Sequence, residues 1–390
     1  MISQTTVEQV RAYTDIVAVI SDYVSLKKRG RNFIGLCPFH SEKSPSFTVS
    51  PEKQLWHCFG CHSSGDHISF MMKVDNLTFV EAITHIAHKA SITIVEEEKS
   101  FEVSLDERIK AQVLDVLFSA REAFAFFLNP ESEGYRYALK RGLSDNMITC
   151  FHLGYAPLNW DPVTMLGAKG FSPDLIQKSG LVAVAEDGSF RPRFRHRLVF
   201  PVLDHRGRTV GFGARLIESR EDSPKYINTE ETILFNKRKL LYGLDKAKNA
   251  IRDTGRVIVM EGYMDVIVAH QYGFEESVGS MGTALTAEHA QLLKRYTSVV
   301  YLAMDSDVAG QQSVERSCEV LKQAGFQSYV IGLSQKDPAD VLQQNGAEFF
   351  QKAIQEALPM ILFKFNRSLA KYDVSKIEQI PVILQEIIPL

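Results

Sequence analysis

Apolar and polar positions follow three different rhythms along this chain, and each predicts a different kind of element. Over residues 5–26 the apolar positions Val7, Val10, Ile16, Val19, Ile20 and Val24 recur at helical spacing, and helical patterns return over 66–73 and 78–90. Between them, Ser46-Phe47-Thr48-Val49 and Gln54-Leu55-Trp56-His57 read as two strands joined by a turn near Pro51. The stretch 96–105 has no period and reads as a linker, followed by an amphipathic helix over 108–128. Residues 190–215 alternate as strands, with Arg191, Arg193, Arg195 and Arg197 on one face and Phe194 and His196 on the other. From residue 256 short unbroken apolar runs (Val257–Met260, Val299–Met304 and Tyr329–Ile331) are separated by helical patterns, which signals parallel strands covered on both faces. Helical spacing resumes over 341–390.

Composition narrows this to a multidomain chain of mixed α/β and α+β class. At 390 residues and 45% hydrophobic it can bury two or three cores of ordinary size. The net charge of −3 hides local basic runs, one at Lys27, Lys28, Arg29 and Arg31 and one from Arg191 to Arg215. The first residues lack a basic segment leading into an apolar stretch, and no run approaches the ~18 apolar residues that span a bilayer, so the chain reads as cytoplasmic with no membrane partner.

Two pairs of metal-type ligands, Cys37-Pro38-Phe39-His40 and Cys58-Phe59-Gly60-Cys61, each space their ligands three apart. One turn of backbone can then aim both members of a pair at one ion, and two such knuckles supply the four corners that tetrahedral zinc requires. Cys37, His40, Cys58 and Cys61 are the expected ligands of one structural Zn²⁺ in a zinc ribbon covering 1–100; His57, His62 and His67 complete no knuckle. Around it, Lys43, Lys53, Phe47, Trp56 and Phe59 mix cations with flat rings, as single-stranded nucleic acid prefers, although aromatic residues in so small a ribbon serve more often as its core. Cys150 and Cys318 form no disulfide framework and read as inert thiols.

Acidic residues follow the apolar runs. Glu261 succeeds 257–260, Asp305 and Asp307 succeed 299–304, and Asp337 and Asp340 follow the third run, so all sit at carboxyl ends of parallel strands, where open α/β sheets place their ligands. Carboxylates crowded without basic partners call for a divalent cation, and Mg²⁺ suits a site that also takes phosphate oxygens. Any single aspartate there could instead cap a helix.

Glu261-Gly262-Tyr263-Met264-Asp265, Asp305-Ser306-Asp307-Val308-Ala309-Gly310 and Asp337-Pro338 resemble, in that order, the Toprim domain of primases, topoisomerases and some nucleases. The segment Leu36 to Phe47 with His57-Cys58-Phe59-Gly60-Cys61 is similar to the zinc domain of the bacterial replicative primase family of DnaG type. So are Lys140-Arg141-Gly142-Leu143, Arg193-Phe194-Arg195, Gly211 to Arg215, Pro224 to Asn228 and Phe235-Asn236-Lys237 in the middle. The resemblance covers nearly the whole chain. It implies a zinc ribbon at 1–100, a basic mixed α/β subdomain at 106–240, a Toprim subdomain with a Rossmann-like parallel sheet at 241–340, and a truncated helical segment at 341–390.

The resemblance further implies a DNA-dependent RNA polymerase that lays RNA primers from ribonucleoside triphosphates on single-stranded DNA at the replication fork. Two or more Mg²⁺ ions, with Mn²⁺ as a substitute, would be held by Glu261, Asp265, Asp305, Asp307 and Asp337. Glu261, Asp305 and Asp307 would be catalytic, with Glu261 either a ligand or the proton acceptor. Arg141, Arg193, Arg195, Arg215, Lys225 and Lys237 would contact nucleotides or template. Ala339 replaces an aspartate common in the family, and the helical domain that binds the replicative helicase lies beyond the resemblance, so helicase docking is not expected of this chain. A Toprim-type nuclease or topoisomerase-related enzyme is the alternative from the carboxylates alone.

Overall fold

The amino-terminal helical pattern breaks at Asp15, whose carboxylate accepts from the Val17 N–H and starts a second helix rather than continuing the first. In the computed structural model, which describes residues 4–371 and 381 apart from 41, 43, 76, 91, 93, 95–100, 219–222, 306, 307, 334 and 336, the chain divides into two units, Met1–Asp106 and Glu107–Leu390.

The first unit opens with α1 (Gln4–Tyr13) and α2 (Ile16–Ser21). Strands β1 (Lys27–Arg29), β2 (Asn32–Gly35), β3 (Phe47–Ser50), β4 (Leu55–Cys58) and β5 (Ser64–Gly65) then pair antiparallel in chain order. Helices α3 (His67–Val74) and α4 (Phe79–Lys89) close it, capped by Asp66 and by a Thr78–Glu81 capping box. Phe47, Trp56, Phe70 and Ile83 are fully buried in its core, and the Phe47 and Trp56 rings stack at 5.2 Å. Those two rings are therefore packing, whereas Phe59 is 67% exposed. Lys43 lies outside the described residues.

Helix α5 (Phe101–Phe127) spans the boundary between Asp106 and Glu107, and its first turns occupy part of the stretch expected as linker; residues 101–107 carry no Gly or Pro to stop the helix. There follow α6 (Glu133–Lys140), α7 (Asp145–Cys150), β6 (Gly154–Ala156), α8 (Pro162–Gly167), α9 (Pro173–Lys178), β7 (Val182–Val184), β8 (Phe190–Pro192), β9 (Arg197–Leu203), β10 (Thr209–Leu216) and β11 (Tyr226–Asn228). An antiparallel sheet of order β11-β10-β9-β6 forms the centre of this half, with β7–β8 as a separate pair. The continuous arginine strand expected from residue 190 does not exist. β8 ends at Pro192 and β9 starts at Arg197, and between them His196 takes a left-handed backbone (φ 52°) that breaks the alternation.

The third part runs α10 (Leu244–Thr254), β12 (Val257–Met260), α11 (Tyr263–Gln271), β13 (Ser277–Gly279), α12 (Ala287–Leu293), β14 (Val299–Leu302), α13 (Val308–Gln323), β15 (Gln327–Val330), α14 (Pro338–Gln355), β16 (Leu358–Pro359) and α15 (Met360–Lys371). Its sheet order is β13-β12-β14-β15-β16, parallel except for β16 at one edge. Most of the helical pattern expected beyond 371 lies outside the described residues.

Strand alternation decides which core each side chain joins. Ile258 and Met260 of β12 face one core, Val257 and Val259 the other. Leu198, Phe200 and Val202 of β9 enter the same core as Ile258, together with Tyr263, Met264 and Ile267 of α11, while Val199 packs with Val113, Leu117 and Phe124 of α5. One core is thus shared by the antiparallel and the parallel sheet, which fixes the cleft between them. No helix among the described residues is long and apolar enough to cross a membrane.

Candidate active site and metal centre

In the first unit the ligand atoms of Cys37, His40, Cys58 and Cys61 all lie within 4.8 Å of one another. Cys37 Sγ and Cys61 Sγ are 3.9 Å apart, and His40 Nδ1 is 3.8 Å from Cys58 Sγ. A tetrahedral ion with Zn–S bonds of about 2.3 Å sets its sulfurs about 3.8 Å apart. The knuckles also share an internal bond: the Phe39 N–H donates to Cys37 Sγ and the Cys61 N–H to Cys58 Sγ, both at 3.4 Å. The set has the make-up of a closed structural zinc site, in which four protein ligands would leave no corner for substrate. His67 is buried in the core and stands apart from the ligand set.

The second site forms at the carboxyl edge of the parallel sheet. A cleft of about 380 Å³ is lined by Arg141, Arg215, Lys225 and Lys237 and by Glu261, Asp265, Asp305 and Asp337, with Tyr226, Asn228 and Tyr263 among them. Glu261 directly follows β12. Its carboxylate and the Asp305 backbone converge on Gly310: a Cβ there would meet Asp305 O at 2.1 Å and Glu261 Oε1 at 2.9 Å, so glycine is required at the start of α13. Asp265, on the first turn of α11, is buried; its Oδ2 accepts from the Gly262 N–H (3.1 Å) and its Oδ1 from the Ala339 N–H (3.3 Å). It thereby ties the loop after Glu261 to the start of α14. Burial first and the charge of Asp337 second push its carboxyl up to about 7, against those two hydrogen bonds. Asp337 caps α14 through the Asp340 N–H (2.8 Å), so it does perform the capping role weighed for such aspartates while still lining the cleft. Asp307 lies outside the described residues.

Cations face these carboxylates from the antiparallel half. Arg215 on β10 is held in register with Tyr226 on β11: its Nη1 donates to the Tyr226 hydroxyl at 2.7 Å, and its guanidinium lies over the Tyr226 and Tyr137 rings. Asn228 stands between Lys237 Nζ (2.7 Å) and the Tyr263 hydroxyl (2.5 Å). Burial, then the nearby Arg193 charge, lowers the Lys237 ammonium from its ordinary value. The turn bearing Arg141 is fastened by Gln343, which donates to the Arg141 carbonyl, and by Gln271, which donates to that of Gly142, both at 2.9 Å. Nε of Arg141 and of Arg215 is buried with no hydrogen-bond partner among the described residues.

Arg193 and Arg195 are not brought into this cleft. With His196, Arg197, Leu158, Leu216 and Ser223 they line a neighbouring one of about 280 Å³. Arg193 Nε donates to the Asn228 carbonyl (2.7 Å) and its guanidinium pairs with Glu230, Arg195 Nε donates to the Leu158 carbonyl (3.1 Å), and Arg197 is buried against the Pro224 carbonyl (2.9 Å). Arg191 is exposed on β8. The supporting roles of Tyr226, Asn228, Gln271, Gln343 and His289 were not visible in the residue pattern. His289 is fully buried, its Nε2 2.7 Å from the Lys237 carbonyl and 3.0 Å from that of Leu240, so α12 anchors the turn carrying Lys237. The contacts of Gln271, Gln343 and His289 join residues 49 to 202 positions apart, beyond the reach of any local period, and those of Tyr226 and Asn228 depend on strand pairing and a turn rather than on spacing.

Three family models match in chain order: the CHC2 zinc finger over residues 2–102, the N-terminal domain of the DNA primase catalytic core over 124–248, and a Toprim-like domain over 258–342. The chain is 38% identical over 394 residues to the DNA primase of Clostridium acetobutylicum, covering 99% of this chain and 64% of that protein. It is also 38% identical over 377 residues to that of Escherichia coli K12, covering 93% and 64%. Among solved structures, the zinc-binding and RNA polymerase domains of the Aquifex aeolicus primase align over 98% of this chain and 92% of that one, at 30% identity and a TM-score of 0.63. A DnaG primase catalytic domain bound to ssDNA aligns over 73% and 93%, at 32% identity and a TM-score of 0.65. The chain spans 64% of the length of these two full-length primases.

Proposed function

This chain belongs to the DnaG-type DNA primase family, and on that premise we propose that it is a DNA-dependent RNA polymerase that makes primers on single-stranded DNA from ribonucleoside triphosphates. The observation that carries the reading is the meeting of four carboxylate residues and four cationic residues in one cleft at the carboxyl edge of the parallel sheet. In this reading residues 106–240 supply the basic wall, 241–340 the acidic Toprim wall, and 341–390 a helical subdomain, with the cytoplasmic replication fork as the place of action.

Nucleotide joining is phosphoryl transfer, which needs positioning and charge neutralisation more than a covalent protein group. Glu261, Asp265, Asp305 and Asp337, with Asp307, would hold Mg²⁺; the unfavourable clustering of Asp265 with Asp337 and Glu261 is the kind of site that a divalent cation relieves. Bound there, Mg²⁺ neutralises triphosphate charge and makes the attacking 3′-hydroxyl more acidic. Arg141, Arg215, Lys225 and Lys237, which line the cleft, would grip the phosphates opposite the carboxylates. Tyr226 keeps Arg215 aimed, and Asn228 keeps Lys237 aimed. Arg193 and Arg195, in the adjoining cleft, would contact the template backbone rather than the reacting nucleotide.

Incubating the chain with a single-stranded DNA template, labelled ribonucleotides and Mg²⁺ tests the reading. The expected result is template-dependent RNA; shortening of the template with no RNA made would overturn it in favour of a nuclease. Asp305→Ala is expected to lower synthesis by about 10²- to 10³-fold or more while leaving template affinity intact. Arg193→Ala with Arg195→Ala should weaken template binding and flatten its salt dependence by about two charges, read from binding isotherms across a salt series.

A further inference from the structure

One carboxylate outside the four ligands reaches both knuckles of the zinc site. Glu42 follows His40 by two residues. Its Oε1 accepts from the backbone N–H of Cys37 (2.8 Å) and of Ser46 (3.1 Å). Its Oε2 accepts from the Ser46 hydroxyl (2.5 Å) and lies 3.2 Å from His40 Nε2. Ser46 carries the connection onward: its hydroxyl is 3.2 Å from Cys58 Sγ, and its carbonyl accepts from the Phe59 N–H (3.0 Å). The first knuckle is therefore touched at the Cys37 backbone and the His40 ring, the second through Ser46.

The two nitrogens of His40 have separable surroundings. Nδ1 faces the thiols, 3.8 Å from Cys58 Sγ, and Nε2 faces Glu42. A neutral imidazole that gives its Nδ1 lone pair to a metal must carry its proton on Nε2, and a carboxylate placed to accept that proton's hydrogen bond fixes both the tautomer and the ring. The backbone of the second knuckle closes over this contact. A Cβ at Gly60 would lie 2.5 Å from His40 Nε2 and 2.9 Å from Ser46 Oγ, so the ring cannot swing away from Glu42 in that direction.

We propose that Glu42 is the positioning residue of the zinc site: it holds His40 as the Nε2-protonated tautomer, so that Nδ1 ligates the ion, and couples the two knuckles through Ser46. This concerns the first unit alone and stands or falls independently of the reaction assigned to the second.

The test uses the full chain loaded with zinc. Long-range ¹H–¹⁵N spectra should show His40 with Nδ1 metal-bound and Nε2 protonated; the reverse pattern, Nε2 bound and Nδ1 protonated, overturns the proposal. Glu42→Gln separates tautomer control from simple scaffolding. Its amide oxygen can keep the Cys37 and Ser46 N–H bonds, but its NH₂ group meets the Nε2–H donor with a second donor. Zinc affinity, measured by competition with a chromophoric chelator, is expected to fall roughly 10- to 100-fold, with a changed visible spectrum of the Co²⁺-substituted chain and an unchanged circular dichroism spectrum at saturating zinc. Wild-type affinity together with an unaltered Co²⁺ spectrum would also overturn it. Should the variant fail to fold, the wild-type tautomer pattern still decides.

Discussion

Tyr226 illustrates how a single side chain can set the aim of a charged one without carrying charge. Its hydroxyl accepts from Arg215 Nη1 while its ring lies beneath the same guanidinium. Tyr226→Phe keeps the ring and deletes the hydrogen bond, so nucleotide affinity should fall by about 2- to 12-fold, the factor that corresponds to a net hydrogen bond of roughly 0.5–1.5 kcal/mol. Equilibrium titration with a non-hydrolysable triphosphate would read it. The cysteines outside the zinc site differ in a similar way through surroundings alone. Cys318 is buried, and burial pushes its thiol up to about 12, whereas Cys150 is exposed at the end of α7. A raised pKa leaves Cys318 as the unreactive thiol through neutral pH. In the native zinc-loaded chain a thiol reagent should label Cys150, with Cys318 reacting only after unfolding; mass spectrometry of labelled peptides would show it.

Elements were legible where one rhythm ran uninterrupted. Val257–Met260 is buried along its whole length and is a parallel strand, because an unbroken apolar run suits a strand with cores on both faces. The arginine stretch was misread for the opposite reason: alternation alone cannot register a turn, and Pro192 and the left-handed His196 insert one between β8 and β9. The β9–β10 connection shows what pins such a hairpin. Burial of Asp204 would raise its carboxyl, but the N–H groups of Arg208 and Arg206 and the Arg208 guanidinium outweigh it and hold the carboxyl below its ordinary value. A carboxyl lowered in the folded state stabilises at pH above its unfolded value of 3.8, and that contribution is lost as pH falls through the lower folded value. Asp204→Asn should therefore lower stability by about 1–3 kcal/mol at pH 7. In urea melts the gap between variant and wild type should narrow as the pH drops below 4.

The whole molecule comprises two units with separate cores, and the first carries the Cys37, His40, Cys58 and Cys61 cluster that would hold zinc. Closed zinc sites contribute folding free energy outright. Chelation should thus unfold the first unit, with hydrogen exchange rising across β3, β4 and α3, while amides of β12 and β14 keep their protection. The cluster of Cys37, His40, Cys58 and Cys61 could be read from spacing because Cys37 and His40, like Cys58 and Cys61, are neighbours in sequence and one turn of chain suffices to pair them. The acidic edge could be read because a strand's end is where its run of apolar residues stops. Local periodicity settled these features since their physics acts over a few residues. Which cations would face Glu261 and Asp305 was a different matter. Arg141, Arg215, Lys225 and Lys237 entered the cleft, and Arg193 and Arg195 did not, because Leu198 and Phe200 on one sheet share a core with Ile258 and Met260 on the other. Burial of apolar surface between segments far apart in the chain chose the partners, and no spacing along the sequence encodes that packing.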